Sequence, residues 1–177
     1  MVPNPGTGLV QVFTGNGKGK TTAAVGTIVR AAGHGLKVCL ISFMKGPYTY
    51  GEYKTLSQIP GVTIEQFGLR RFTDPAKIKA EEKEQAIAAL MKAREVIGGG
   101  EYDLVVLDEV NVALCYNLIK LEKIISLIKD KPRHVELILT GRYADPKILE
   151  LADLVTEMVK VKHPFDDGVK ARKGIEY

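Results

Sequence analysis

Short apolar runs, each bounded by glycine, proline or charged residues, recur along this chain and alternate with longer segments of helical period. Leu9-Val10-Gln11-Val12-Phe13 lies between glycines and reads as a buried strand. Val38 to Phe43, Val62 to Phe67, Asp103 to Asp108 and Val135 to Leu139 read the same way, and Leu154 to Val161 as a final strand. Lys20 to Ala32 is rich in Ala and Val and runs into Gly33 and Gly35, so it is expected to be a helix with a glycine end. Asp74-Pro75 supplies a cap and a first-turn proline for a long helix, in which Ala86, Leu90, Ala93 and Ile97 form one stripe before Gly98-Gly99-Gly100 stops it. Leu121, Ile124, Ile125 and Ile128 mark another amphipathic helix ended by Pro132, and Pro146 to Ala152 a short one. Gly46 to Gly51, rich in tyrosine, reads as loop.

Strands separated by helices require right-handed crossovers, hence a mostly parallel sheet with helices on both faces. The expected fold class is therefore α/β, a single phosphate-loop NTPase-like domain over residues 1–177. Residues 1–8 and 163–177 are expected as polar tails free to fray.

The chain's 177 residues, 45% hydrophobic and 26% charged, suit one soluble domain and leave no place for disorder, a collagen repeat or a disulfide scaffold. Its apolar runs are too short to span a bilayer, and the first residues lack the pattern of a signal peptide, so a cytoplasmic location without a membrane is expected. Cys39 and Cys115 both sit in apolar segments and are expected as buried thiols in a reducing compartment. A net charge of +4 permits an anionic partner. Only Leu69 to Phe72 and Val169 to Lys173 approach a basic stripe, so nucleic acid is not the expected partner.

The chemistry concentrates after the first strand, in Thr14-Gly15-Asn16-Gly17-Lys18-Gly19-Lys20-Thr21-Thr22. Glycines permit a tight loop whose N–H groups converge on an anion, and the following helix adds its positive end. Lys20 is the candidate phosphate cation and Thr21 the candidate Mg²⁺ (or Mn²⁺) hydroxyl ligand. Gly15 precedes the Gly-Lys-Thr by only three residues, one fewer than the standard loop, so standard nucleotide geometry is not assumed. Leu104-Val105-Val106-Leu107-Asp108-Glu109 places two acids at the end of a buried strand, either as metal carboxylates beside the phosphates or as a helix cap. These parts serve kinases, hydrolases and helicases equally, so they leave the reaction open.

Longer strings of residues carry a resemblance. Val12 to Ala24 with Arg30-Ala31-Ala32-Gly33-His34-Gly35, Phe43-Met44-Lys45-Gly46 with Gly51-Glu52, Leu107 to Leu114, Leu139-Thr140-Gly141-Arg142, Ala152 to Met158 and the tail from Lys162 to Tyr177 resemble the ATP:corrinoid adenosyltransferases of the CobA/CobO/BtuR type. The resemblance covers nearly the whole chain and includes the short loop. It implies an enzyme that transfers the 5′-deoxyadenosyl group of ATP to the Co(I) centre of a reduced corrinoid and releases triphosphate, in adenosylcobalamin synthesis or salvage. It further implies ATP and Mg²⁺, a corrinoid substrate, an electron donor such as a reduced flavoprotein, and a homodimer.

Carried over residue by residue, the resemblance makes Gly15, Asn16, Gly17, Lys18, Gly19, Lys20, Thr21 and Thr22 the triphosphate loop. Arg30 and Arg142 become candidates for nucleotide or substrate, against a helix-surface cation and an ordinary salt bridge. Thr21, Asp108 and Glu109 become the metal set, and Lys20, Thr21 and Glu109 the catalytic set. Many relatives carry a Phe-Thr-Trp segment in the region where this chain has Phe67-Gly68-Leu69-Arg70-Arg71-Phe72-Thr73-Asp74, and this chain has no Trp at all. Phe72 is the candidate corrin-facing residue, against plain core packing, and the Tyr48-Thr49-Tyr50 loop is a candidate flank. The alternative function is a phosphate-loop ATPase or kinase that breaks the β–γ bond. A third class is a nucleotide-dependent binding module.

Overall fold

The computed structural model describes residues 6–46, 50–70 and 73–176. Its centre is one sheet built from β1 (Val10–Thr14), β2 (Val38–Ser42), β3 (Val62–Gln66), β4 (Leu104–Asp108), β5 (Glu136–Thr140) and β6 (Leu154–Glu157). The spatial order is β3-β2-β4-β5-β1-β6 and every pairing is parallel. The helices are α1 (Lys20–Gly33), α2 (Gly51–Leu56), α3 (Ala80–Gly99), α4 (Val110–Cys115), α5 (Leu121–Asp130) and α6 (Pro146–Leu151).

The strands show why uninterrupted apolar runs were needed. In β2, Cys39 and Ile41 enter one core while Val38 and Leu40 enter the other; in β4, Val105 and Leu107 oppose Leu104 and Val106 in the same way. Ile28 and Ala24 of α1 with Tyr53 and Leu56 of α2 cover one face. Helices α3, α4, α5 and α6 cover the other through Ala86, Ala113, Ile124 and Ile148. A strand wet on either face would carry polar residues at alternate positions.

Several expectations need correction. Asp74 does not cap α3: its carboxylate accepts from the Ala76 N–H in a separate turn. The helix begins six residues later behind Lys79, whose backbone N–H donates to the Glu82 carboxylate at 2.6 Å. The stop is as expected, with Gly100 left-handed at φ 66°. The last strand ends at Glu157, opposite Thr14, where its neighbour β1 also ends. Gly51, read as loop, opens α2, and α4 begins directly after the acids of β4. Leu9 is exposed, and Cys115, expected inside, is exposed at the end of α4; Cys39 is fully buried.

Parallel strands place all their carboxyl ends on one edge, where ligands of such sheets bind. β5 lies between β1 and β4, so the loops after β1, β4 and β5 meet there. No helix among the described residues is long and apolar enough to cross a membrane.

Candidate active site

The loop after β1 is pressed against the chain leaving β6. The Gly17 N–H donates to the Met158 carbonyl at 2.6 Å, and the Met158 N–H to Thr14 at 2.9 Å. A Cβ on Gly15 would lie 2.5 Å from the Met158 carbonyl oxygen, and its φ of 94° already disfavours side chains. Gly19, at φ 122°, turns the loop into α1 and leaves the helix N-terminus without a side-chain cap. Free N–H groups at a helix start are the donors an anion uses.

Lys20 is buried, and its ammonium donates to the carbonyls of Gly15 at 2.8 Å and Gly17 at 2.7 Å. Burial and then the neighbouring Arg142 lower its pKa, while Glu109 and Asp108 oppose that shift. Lys18 points outward to the Glu176 carboxylate at 3.0 Å and the Ile175 carbonyl at 3.2 Å.

The acids of β4 divide their tasks by geometry. Asp108 is wholly buried: Oδ1 accepts from Thr21 at 2.9 Å and Thr140 at 2.6 Å, and Oδ2 lies 2.8 Å from the Lys45 ammonium. Glu109 takes the left-handed conformation at φ 62°, and its N–H donates to the Thr140 hydroxyl at 3.0 Å. Its carboxylate accepts no hydrogen bond among the described residues and lines the cleft. Desolvation, with Asp108 as the next cause, raises its pKa, and Lys45, Lys20 and Arg142 oppose that shift. Thr21 and Glu109 therefore offer hard oxygen donors at one cleft wall, a chemistry that fits Mg²⁺. A group of three or more His, Cys, Asp or Glu side chains able to hold a metal by themselves does not occur among the described residues.

The cleft has a volume of about 550 Å³, within the usual range for small-molecule sites. Gly17 to Thr22, Lys45, Glu52, Glu109 and Arg142 line it, and the tail closes one side through Gly174 to Glu176. Residues 163–176 lie beside the loop through the Lys18–Glu176 contact, with Arg172 also bonded to Glu176 at 2.9 Å. His163, also at the cleft, accepts from the Phe165 N–H.

The structure thus brings together the loop from Gly17 to Thr22, Glu109 and Arg142, with Asp108 directly behind. It does not bring Arg30 there. That residue is exposed in the last turn of α1, ten residues or about 15 Å of helix beyond Lys20. His34 caps the same distant end. Asn16 is exposed in the loop and absent from the cleft wall. Phe72, Tyr48 and Thr49 lie outside the described residues. Sequence reasoning missed Thr140 and Lys45 as site residues. Their signal was position: Thr140 ends an apolar strand, and Lys45 follows one by three residues.

The comparisons with known proteins agree with this geometry. Residues 6–177 match the family model described as ATP:corrinoid adenosyltransferase BtuR/CobO/CobP. The chain is 41% identical over 170 residues to the corrinoid adenosyltransferase CobA of Salmonella typhimurium, covering 96% of this chain and 86% of that protein. It is 40% identical over 170 residues to the corrinoid adenosyltransferase of Escherichia coli, with the same coverage. A Sinorhizobium corrinoid adenosyltransferase is 38% identical over 172 residues, covering 96% and 80%. A shortened glycine loop set against paired acids, matched along almost the full chain, leads to one conclusion: this chain belongs to the ATP:corrinoid adenosyltransferase family.

Proposed function

We propose that this chain moves the 5′-deoxyadenosyl group of ATP onto the Co(I) centre of a reduced corrinoid and releases triphosphate. The observation that carries the reading is the match of residues 6–177 to the family model, which the cleft formed by Lys20, Thr21 and Glu109 fits. Hydrolysis or kinase chemistry gains from a base that takes a proton from water or an alcohol. Alkylation of Co(I) does not, because the metal's own electron pair attacks C5′. The new Co–C bond forms as the C5′–O bond breaks, and that electron pair leaves on the triphosphate.

The protein's task is then to align two substrates and stabilise the departing polyanion. In this reading the Gly15–Gly19 loop and the start of α1 donate N–H groups to the triphosphate. Lys20 turns from the loop carbonyls to a phosphate, while Lys18 and Arg142 approach from the rim. Thr21 and Glu109 hold Mg²⁺, with Asp108 fixing Thr21 from behind. When bound, the ion neutralises phosphate charge and makes triphosphate a better leaving group. Phe72 is proposed to face the corrin. A homodimer, a reduced flavoprotein as electron donor and a reducing cytoplasmic setting complete the reading.

The test is direct. Mg·ATP and a chemically reduced corrinoid should give the light-sensitive absorption of a Co–C bond, and Lys20→Ala should lower that rate severely while leaving the circular dichroism unchanged. Near-normal turnover of Lys20→Ala at saturating ATP would overturn the assignment of the cradle.

A further inference from the structure

Lys45 lines the cleft directly beside the carboxyl end of β4. Its ammonium sits 2.8 Å from Oδ2 of the wholly buried Asp108 and 3.8 Å from Oε1 of Glu52. The rings of Tyr50 and Tyr53, packed edge to face, lie 5.3 Å and 5.7 Å from it. The backbone around it is confined: the Ser42 hydroxyl donates to the Lys45 carbonyl, and a Cβ on Gly46 would lie 2.5 Å from the backbone of Leu69. Lys45 cannot drift away without moving the segment that crosses it.

Asp108 and Glu109 are adjacent, and both could bind a divalent cation. A buried carboxylate needs a counter-charge. Lys45 supplies it on Oδ2 as an ion pair, while the two threonines bond Oδ1, so both oxygens of Asp108 are engaged within the fold. Glu109 makes no ion pair among the described residues; Lys45, Lys20 and Arg142 act on it only through space. We infer that Lys45 is a positioning residue: it pins Asp108 as the hydrogen-bond acceptor for Thr21 and Thr140, and thereby reserves metal binding for Glu109. This rests on the proposal that Glu109 and Thr21 hold the ion.

The consequence has a distinctive sign. Removing the ammonium adds one net negative charge beside the metal position and frees Oδ2. Lys45→Met is expected to bind Mn²⁺ about tenfold more tightly than the wild type without nucleotide, as a nearby charge in a partly wet cleft dictates. A merely structural lysine would leave Mn²⁺ binding unchanged or weaken it.

The experiment titrates nucleotide-free protein with Mn²⁺ and reads the free ion by its electron paramagnetic resonance. Lys45→Met should tighten binding, Lys45→Arg should stay within about threefold of wild type, and Lys45→Met/Asp108→Asn should return to the wild-type affinity. Lys45→Met/Glu52→Gln should keep the tight binding, because Glu52 is not the freed ligand. Unchanged or weaker binding in Lys45→Met overturns the inference, and so does equal restoration by Glu52→Gln, which would reduce it to net charge. If Lys45→Met does not fold, the Asp108→Asn double variant, which leaves no buried charge uncompensated, still decides: wild-type Mn²⁺ affinity supports the inference and lost binding overturns it. Glu109→Gln separates the underlying reading. Lost Mn²⁺ binding there supports it, whereas retained binding overturns that reading and this inference together.

Discussion

Replacing Thr140 with valine removes one hydroxyl and keeps the shape of a fully buried, β-branched side chain at the end of β5. That hydroxyl donates to the Asp108 carboxylate at 2.6 Å and accepts the Glu109 N–H at 3.0 Å. A hydrogen bond to a charged group contributes about 1.5–3 kcal/mol, and a buried N–H left without an acceptor costs about 1–3 kcal/mol. Allowing for relaxation, Thr140→Val should destabilise the fold by about 3–5 kcal/mol. For a domain of this size that corresponds to a melting temperature lower by roughly 6–20 °C. Urea unfolding with matched m-values measures the first quantity and calorimetry the second. Because the same bond steadies Glu109 in its left-handed conformation, Mn²⁺ affinity should fall as well. A loss below about 1 kcal/mol with unchanged Mn²⁺ binding would refute the claim that Thr140 joins the two acids.

Further consequences concern other parts of the molecule. Burial raises the Cys39 thiol pKa from 9.0 to about 12, whereas Cys115 is exposed. At pH 8 an alkylating reagent should therefore modify one thiol in native protein and the second only in denaturant; two fast thiols would contradict the packing of β2. A raised folded-state pKa means that Cys39 contributes stability below pH 9, lost progressively as pH climbs toward 12, so Cys39→Ala should flatten the alkaline limb of the unfolding curve. Glu176 places a carboxylate on Lys18 at 3.0 Å, where a phosphate would compete with it. Glu176→Gln should tighten ATP binding in calorimetry with little change in melting temperature, and weaker binding would show that the glutamate assists rather than competes. Ile28→Ala, which opens a cavity between α1 and the sheet, should cost about 2–5 kcal/mol in urea unfolding.

The parts legible in the sequence are those where one physical requirement acts on consecutive residues. Strands β2 and β4 must be apolar on both faces, so four apolar residues in a row announce each. The loop from Gly15 to Gly19 must be free of side chains where it meets Met158, and its glycines say so without knowledge of Met158. Features set by distant partners were not legible. Lys45 and Asp108 are 63 residues apart, and the place of Lys45 just after an apolar strand does not by itself reveal that partner. Helices α2 and α4 are six residues each, too short for a stripe of helical period. The start of α3 was misplaced because Asp74-Pro75 is a sound cap signal that the chain uses for a turn, while Glu82 reaches back to Lys79 in its stead. Cys115 looked buried because Val110, Ala113 and Leu114 are; a cysteine next in line falls on the helix's outer side.

The most direct measurement of the central claim is the phosphate product of a single turnover. Stoichiometric reduced corrinoid and Mg·ATP, quenched and resolved by phosphorus magnetic resonance, should give one equivalent of triphosphate for each adenosylated corrinoid formed. ADP with inorganic phosphate, and no Co–C bond, would contradict the account and favour cleavage at the β–γ bond.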